Sequence, residues 1–321
     1  MPRIRFLRPR TTNLLQTLLL SCGIAGLPLL VGWLFAGKYG LIWAGLLGVL
    51  PLIVAMRLYP ALILKMYRAK PIPPETAESL AGMVAELARR AGLATPPRLY
   101  YIASNLPLIF TTGHGRNSAL AVADGVLRLL SLRELYGVLA HEISHLSNYD
   151  TIAINFADVL GRVTRTLSFF GLVILLISLP FYIIGDYILP WAPIVVMLSA
   201  PTISALLQLG LSRAREYGAD MNAAAITGDP EGLACAIAKL EEHERRLAGG
   251  RYSINHPSLR PTLLRTHPES DKRIIRLLEM DLEMHPGKDP RQFRCFDLYG
   301  APLDTPEVTG KPRRRLSGMW Y

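Results

Sequence analysis

The sequence predicts an α-helical integral membrane protein carrying a cytoplasmic α+β domain, mostly helical with one small sheet. Three observations predict it. Half of the 321 residues are hydrophobic and the mean hydropathy is +0.27, too apolar for an ordinary water-soluble chain of this length. Apolar runs come in two pairs, near residues 14–35 with 41–56 and 167–184 with 191–211, against a need of roughly 20 residues per span. Outside those runs the pattern changes to amphipathic helices and short strand-like stretches.

Residues 1–10 form a basic cytoplasmic N-terminus with Arg3, Arg5, Arg8 and Arg10 and no acid. The apolar run that follows exceeds the ~7–15 residues of a secretory signal core and lacks a small-residue cleavage site, so it is read as a retained span. Gly37-Lys38-Tyr39-Gly40 is a turn, and residues 11–59 make a hairpin of two spans. Arg57, Lys65, Arg68 and Lys70 follow the hairpin, against Lys38 alone in its connection. The positive-inside rule therefore places both flanks in the cytoplasm.

Residues 60–165 are the first part of the soluble domain. A helix over 75–91 buries Leu80, Met83, Val84 and Leu87 and stops at Gly92. Strand-like runs at 98–103, 108–112 and 118–123 alternate with Asn, Pro and Gly punctuation. Ser131-Leu-Arg-Glu134 is a capping box, and Leu132, Leu135, Val138, Leu139, Ile143 and Leu146 recur at helical spacing behind it. A small sheet against two helices is the expected layering.

Residues 166–211 are apolar with Asp186 as their one charge, and Pro180, Gly185 and Pro190 divide them into a second hairpin. Arg213 and Arg215 mark the return to the cytoplasm. Residues 212–284 complete the soluble domain, with a helix from Pro230 to Leu247 and another over 269–280. Residues 285–321 form an irregular tail in which Arg313-Arg314-Arg315 is a solvated charge run. No internal repeat is present.

The net charge of +10 and pI near 9.7 raise the question of nucleic acid. Because the basic residues flank apolar runs and do not form an aromatic-interleaved face, the expected partner is anionic lipid of the bilayer, with no nucleic acid. Cys22, Cys235 and Cys295 are scattered and odd in number, and are read as reduced in a cytosol-facing protein.

His141-Glu142-Ile-Ser-His145 lies on the capped helix. Residues four apart on a helix are stacked at roughly 5–6 Å, so His141 and His145 can address one Zn²⁺. Glu142 is turned away from them, where a carboxylate can take a proton from a metal-activated water. The competing reading is a pair of surface histidines on an amphipathic helix. A catalytic zinc takes three protein ligands, and Glu216 is the expected third. It must share a membrane side with the histidines, and two spans separate it from them. Glu216 and Asp220 are four apart on one face.

The His141-to-His145 helix, the paired spans after it, and Ser212-Arg-Ala-Arg-Glu216-Tyr-Gly-Ala-Asp220 together resemble the HtpX-type family of membrane zinc metalloproteases, relatives of the CAAX prenyl proteases. The resemblance covers most of residues 10–280. It implies a gluzincin fold with one zinc on His141, His145 and Glu216, and Glu142 as general base. It also implies degradation of damaged or misassembled membrane proteins at the cell inner (plasma) membrane, with polypeptide substrates. By the same resemblance, Asn105 sits where the family has a substrate-pairing edge strand, although Pro107 removes a donor. Thr266-His267-Pro268 is similar to the family element whose histidine approaches the reacting carbonyl oxygen, with Glu269 in place of a second proline. Asp220 is expected to orient a ligand histidine.

His114, His243, His256 and His285 are expected at the surface, and Gln16 and Gln208 in helix-to-helix contacts. Two other functions fit the motifs: a CAAX-type prenyl-peptide protease, or a non-catalytic membrane adaptor that keeps zinc for structure.

Overall fold

Ser131 starts the helix on which the site depends. In the computed structural model, which describes residues 8–185, 191–249, 270–289, 293–297 and 300–303, its hydroxyl accepts from Glu134 N at 3.4 Å. Its own N–H donates to the Glu134 carboxylate at 2.7 Å. Two orphan donors of a helix start are thereby satisfied reciprocally.

The chain divides into two compact units. One comprises residues 11–59 and 152–214 and is built from parts of three helices, α1 (Arg8–Met66), α5 (Asp150–Ile184) and α6 (Trp191–Thr227). All three are long and apolar enough to cross a membrane. Where the sequence pattern separates four spans, the described residues hold three such helices, the first broken at Ala36 and Gly37, where Gly37 has φ +53°. Its arms fold back on one another so closely that a Cβ on Gly32 or Gly40 would overlap the other residue's carbonyl oxygen. Ile24, Ala157, Leu160 and Leu211 form a small buried cluster. Trp33, Trp43, Leu47, Phe169, Ile177 and Ile183 are more than half exposed, as side chains that face lipid are. Gln208 donates to Ser204 one turn back at 3.0 Å, and its amide lies against Gly161 of α5. Its hydrogen bond thus runs within α6 and not between helices.

The other unit comprises the described parts of residues 1–10, 60–151 and 215–321. Its sheet has the order β1-β2-β4-β3, with β1 (Lys70–Pro71), β2 (Arg98–Ile102), β3 (Ile109–Thr112) and β4 (Ala119–Ala123). β2 and β4 are parallel, and β1 and β3 close the edges antiparallel. All five residues of β4 are buried, as a central strand covered on both faces requires. Helices α2 (Glu78–Arg90), α3 (Asp124–Leu129), α4 (Leu132–Ser147), α7 (Pro230–Gly249) and α8 (Ser270–Met284) accompany the sheet. Leu87, Leu120, Leu139, Ile143, Leu233 and Leu277 are among the fully buried members of the core.

α4 and α7 meet without a side chain between them at Gly137, where a Cβ would stand 3.1 Å from the Cα of Leu233. Beside this contact Lys239 of α7 reaches the capping Glu134 at 2.8 Å, both buried. The expectation of reduced cysteines is corrected. Cys235 on α7 and Cys295, 60 positions later, form a disulfide, and Cys22 is free and exposed. Spacing carries no signal for a pair so far apart that is joined only by packing.

Candidate metal centre

α4 projects His141 and His145 from one face, and Glu216 arrives from the last third of α6. All three are buried, and one potential ligand atom from each lies within 4.8 Å of the others. His141 Nε2 is 3.4 Å and His145 Nε2 3.7 Å from the Glu216 carboxylate. The two Nε2 atoms are 3.2 Å apart, with the rings nearly perpendicular at 85°.

The opposite ring nitrogens decide which atoms face the centre. His141 Nδ1 lies 2.9 Å from Asp220, and His145 Nδ1 lies 2.9 Å from Asp150. A carboxylate at Nδ1 keeps the proton there and leaves the Nε2 lone pair for a metal. Asp150 reaches His145 because Tyr149 adopts a left-handed backbone, φ +58°, between α4 and α5. Each aspartate is held in turn by a guanidinium. Arg215 pairs with Asp150. Arg273 of α8 binds both oxygens of Asp220 at 2.8 and 2.7 Å and comes within 3.3 Å of Glu216.

Electrostatics follow from this packing. Burial pushes the His141 pKa down, but Asp220 and Glu216 outweigh it and raise the value to about 10. His145 is likewise opposed by burial and raised on balance, with Asp150 the leading cause. For Asp220 burial pushes upward, and Arg273 and His141 prevail, holding it at about 2. Four carboxylates (Glu142, Asp150, Glu216, Asp220) face two guanidiniums here. With neutral imidazoles the cluster thus has a formal excess of two negative charges, which a divalent cation would balance. Two nitrogen donors and one carboxylate oxygen are also the donor set of catalytic zinc sites. The residues present fit a divalent metal.

Glu142, next to His141 on α4, accepts at its carboxylate from the hydroxyl of Thr111 of β3 at 3.2 Å. Asn105 lies exposed in the loop between β2 and β3. β3, an edge strand of the sheet, begins four residues later at Ile109. His267, with its flanking Thr266 and Pro268, lies outside the described residues, as do His256 and Arg313 to Arg315. His114 is exposed, His243 partly so, and His285 pairs with Asp281 at 3.1 Å.

Sequence reasoning named His141, Glu142, His145, Glu216 and Asp220; the structure brings His141, His145 and Glu216 together with Asp220 beside His141, and sets the Glu142 carboxylate against Thr111 of the sheet. It missed Asp150, Arg215, Arg273 and Thr111. Asp150 had a readable signal, five residues after His145 at a helix junction. Arg215 had been read as a topological charge, and Arg273 and Thr111 reach the site only through tertiary packing.

Residues 74–281 match the model of peptidase family M48. A protein named protease HtpX homolog from Persephonella marina is 35% identical over 295 residues, covering 84% of this chain and 98% of its own. Proteins of the same name from Burkholderia ambifaria and Methylibium petroleiphilum are 34% and 33% identical, also over 84% of this chain and over 97% and 98% of theirs. No solved structure matches. With the paired histidines, the buried glutamate and the apolar helices in place, the chain belongs to peptidase family M48, among its HtpX-type membrane proteases.

Proposed function

We propose that the protein is a zinc-dependent endopeptidase of the plasma membrane that cuts damaged or misassembled membrane proteins, with its peptidase domain facing the cytoplasm. One observation supports this most: the convergence of His141, His145 and Glu216, with both Nδ1 atoms occupied by carboxylates. The charge pattern around the apolar runs supports the orientation. Residues 60–165 and 212–284 would supply the peptidase domain and residues 11–59 and 166–211 the two hairpins, with 1–10 and 285–321 as basic and irregular ends.

Zinc held by His141, His145 and Glu216 would supply Lewis acidity, activating water near neutral pH and polarising the scissile carbonyl. Glu142 accepts the proton from that water and returns it to the departing amine. Asp220 and Asp150 fix the tautomer and the aim of the two imidazoles. A substrate chain in extended form pairs with the edge of β3, and Asn105, in the loop that leads into that strand, contributes to its binding by the resemblance. His267 would approach the carbonyl oxygen, by the resemblance alone.

A glutamate beside the metal ligands, aimed by a strand hydroxyl, favours an enzyme over a structural adaptor. Glu142→Gln tests the reading. The variant is expected to keep its zinc and lose cleavage of a casein-like or membrane-protein substrate. Undiminished turnover would remove Glu142 from the reaction, and an active wild type that cleaves only prenylated peptides would move the assignment to prenyl-peptide processing.

A further inference from the structure

We propose that Thr111 is a positioning residue for Glu142, its hydroxyl setting the carboxylate of the base relative to a substrate laid along β3. The inference rests on the reading of Glu142 as general base.

β3 lies at the end of the sheet, paired on one side with β4 in the register Ile109↔Val122, Phe110↔Ala121, Thr111↔Leu120. Ala123 N donates to Leu108 O at 2.8 Å, and in an antiparallel ladder hydrogen-bonded pairs alternate with open ones. Phe110 and Thr112 therefore face β4 with their backbone groups, and Ile109 and Thr111 turn theirs to the outer edge of the sheet. Thr111 combines that outward backbone with an inward hydroxyl. Its Oγ1 is 3.2 Å from a Glu142 carboxylate oxygen and 3.4 Å from the Glu142 carbonyl, and the residue is 5% exposed.

A glutamate side chain has three rotatable bonds, and freezing them costs conformational entropy. A donor from a second element selects one rotamer. Threonine is suited to this because its β-branch restricts χ1, so the strand dictates where the hydroxyl points. One residue thus ties the base to the strand that would hold the peptide. Misplacement by about 1 Å at such a junction costs on the order of 100-fold in rate. The bland alternative is that Thr111 merely satisfies its own buried hydroxyl.

Full-length zinc-loaded protein in detergent separates the two, using Thr111→Val, Thr111→Ser and Glu142→Gln on a quenched peptide. Expected for Thr111→Val are unchanged metal content, unchanged melting temperature, KM within about twofold, and kcat lowered roughly 10- to 100-fold. Thr111→Ser is expected to recover most of that loss. In the metal-free protein, the infrared carboxylate band that vanishes in Glu142→Gln should shift in Thr111→Val and return in Thr111→Ser. If valine lowers the melting temperature, Thr111→Ser against Thr111→Ala makes the same comparison with small side chains. A kcat for Thr111→Val within about twofold of wild type, serine no better than its hydroxyl-free counterpart, or an unmoved band overturns the proposal. Should Glu142→Gln be inactive in those same preparations, only the Thr111 role fails. Should it be fully active, the base assignment fails first.

Discussion

Arg273 grips Asp220 with two hydrogen bonds, 2.8 and 2.7 Å, inside a pocket where both side chains are buried. Asp220 in turn stands 2.9 Å from His141, so α8 bears on the candidate metal centre through a chain of two contacts. Removing the cation leaves a buried carboxylate without its main counter-charge, which typically costs about 3–5 kcal/mol. Arg273→Met is expected to lower the melting temperature accordingly. Asp220→Asn and Asp150→Asn keep the volume but weaken the hold on the imidazoles, and each should reduce zinc affinity about 10- to 100-fold. Competition against a chromogenic chelator measures it, and wild-type affinity in both variants would mean that the histidines aim themselves.

Metal uptake should depend on pH in a fixed direction. With a pKa of about 10, His141 of the metal-free protein is protonated at neutral pH, and that proton must leave before Nε2 can coordinate. Apparent affinity should therefore rise with pH, by about tenfold per unit for each proton displaced. Because folding raises this pKa above the unfolded value near 6.5, the metal-free fold gains stability below about pH 6.5 and loses it as pH climbs through 10. Thermal melts of chelated and zinc-loaded protein across that window should diverge most at its alkaline end. Parallel curves would contradict the assignment.

Gly137→Ala probes the seam between α4 and α7. The added methyl meets the backbone of Leu233, 3.1 Å from its N and Cα, and backbone cannot rotate away as a side chain can. Overpacking of this kind costs roughly 1–3 kcal/mol. Reduced thermal stability is expected, with zinc still bound; an unchanged melting temperature would show that the helices part at no cost.

Gly40→Val tests the fold-back of α1. Its side chain would collide with the Gly32 carbonyl, and helices packed this closely depend on small residues. The variant should melt at a lower temperature in detergent and label faster at Cys22 with a thiol reagent. Wild-type behaviour in both assays would rule out a tight crossing of the two arms.

Much of this architecture was readable because it rests on local pattern. The capping box at Ser131, the helical stripe through Leu139 and Ile143, and three strand positions correct to within a residue or two all follow from neighbours in sequence. Glu216 was legible from the expectation that two spans return the chain to the same side, and the structure has it 3.4 Å from His141. Helix ends were less legible. α1 runs on to Met66 and α6 to Thr227 because polar and charged residues continue a helix as well as apolar ones once it has started. The supporting shell was least legible: Arg273 lies 53 positions from Asp220, and no periodicity connects them.

The bond between Cys235 and Cys295 closes a covalent ring around all of α8 and the last three quarters of α7. A single proteolytic nick anywhere inside that ring leaves the two pieces joined, so they migrate as one band until a reductant is added. A cytoplasmic thiol pool would work against the same bond, which makes the oxidation state of this pair, read on such a gel from freshly lysed cells, a direct report of the side of the membrane on which the peptidase domain resides.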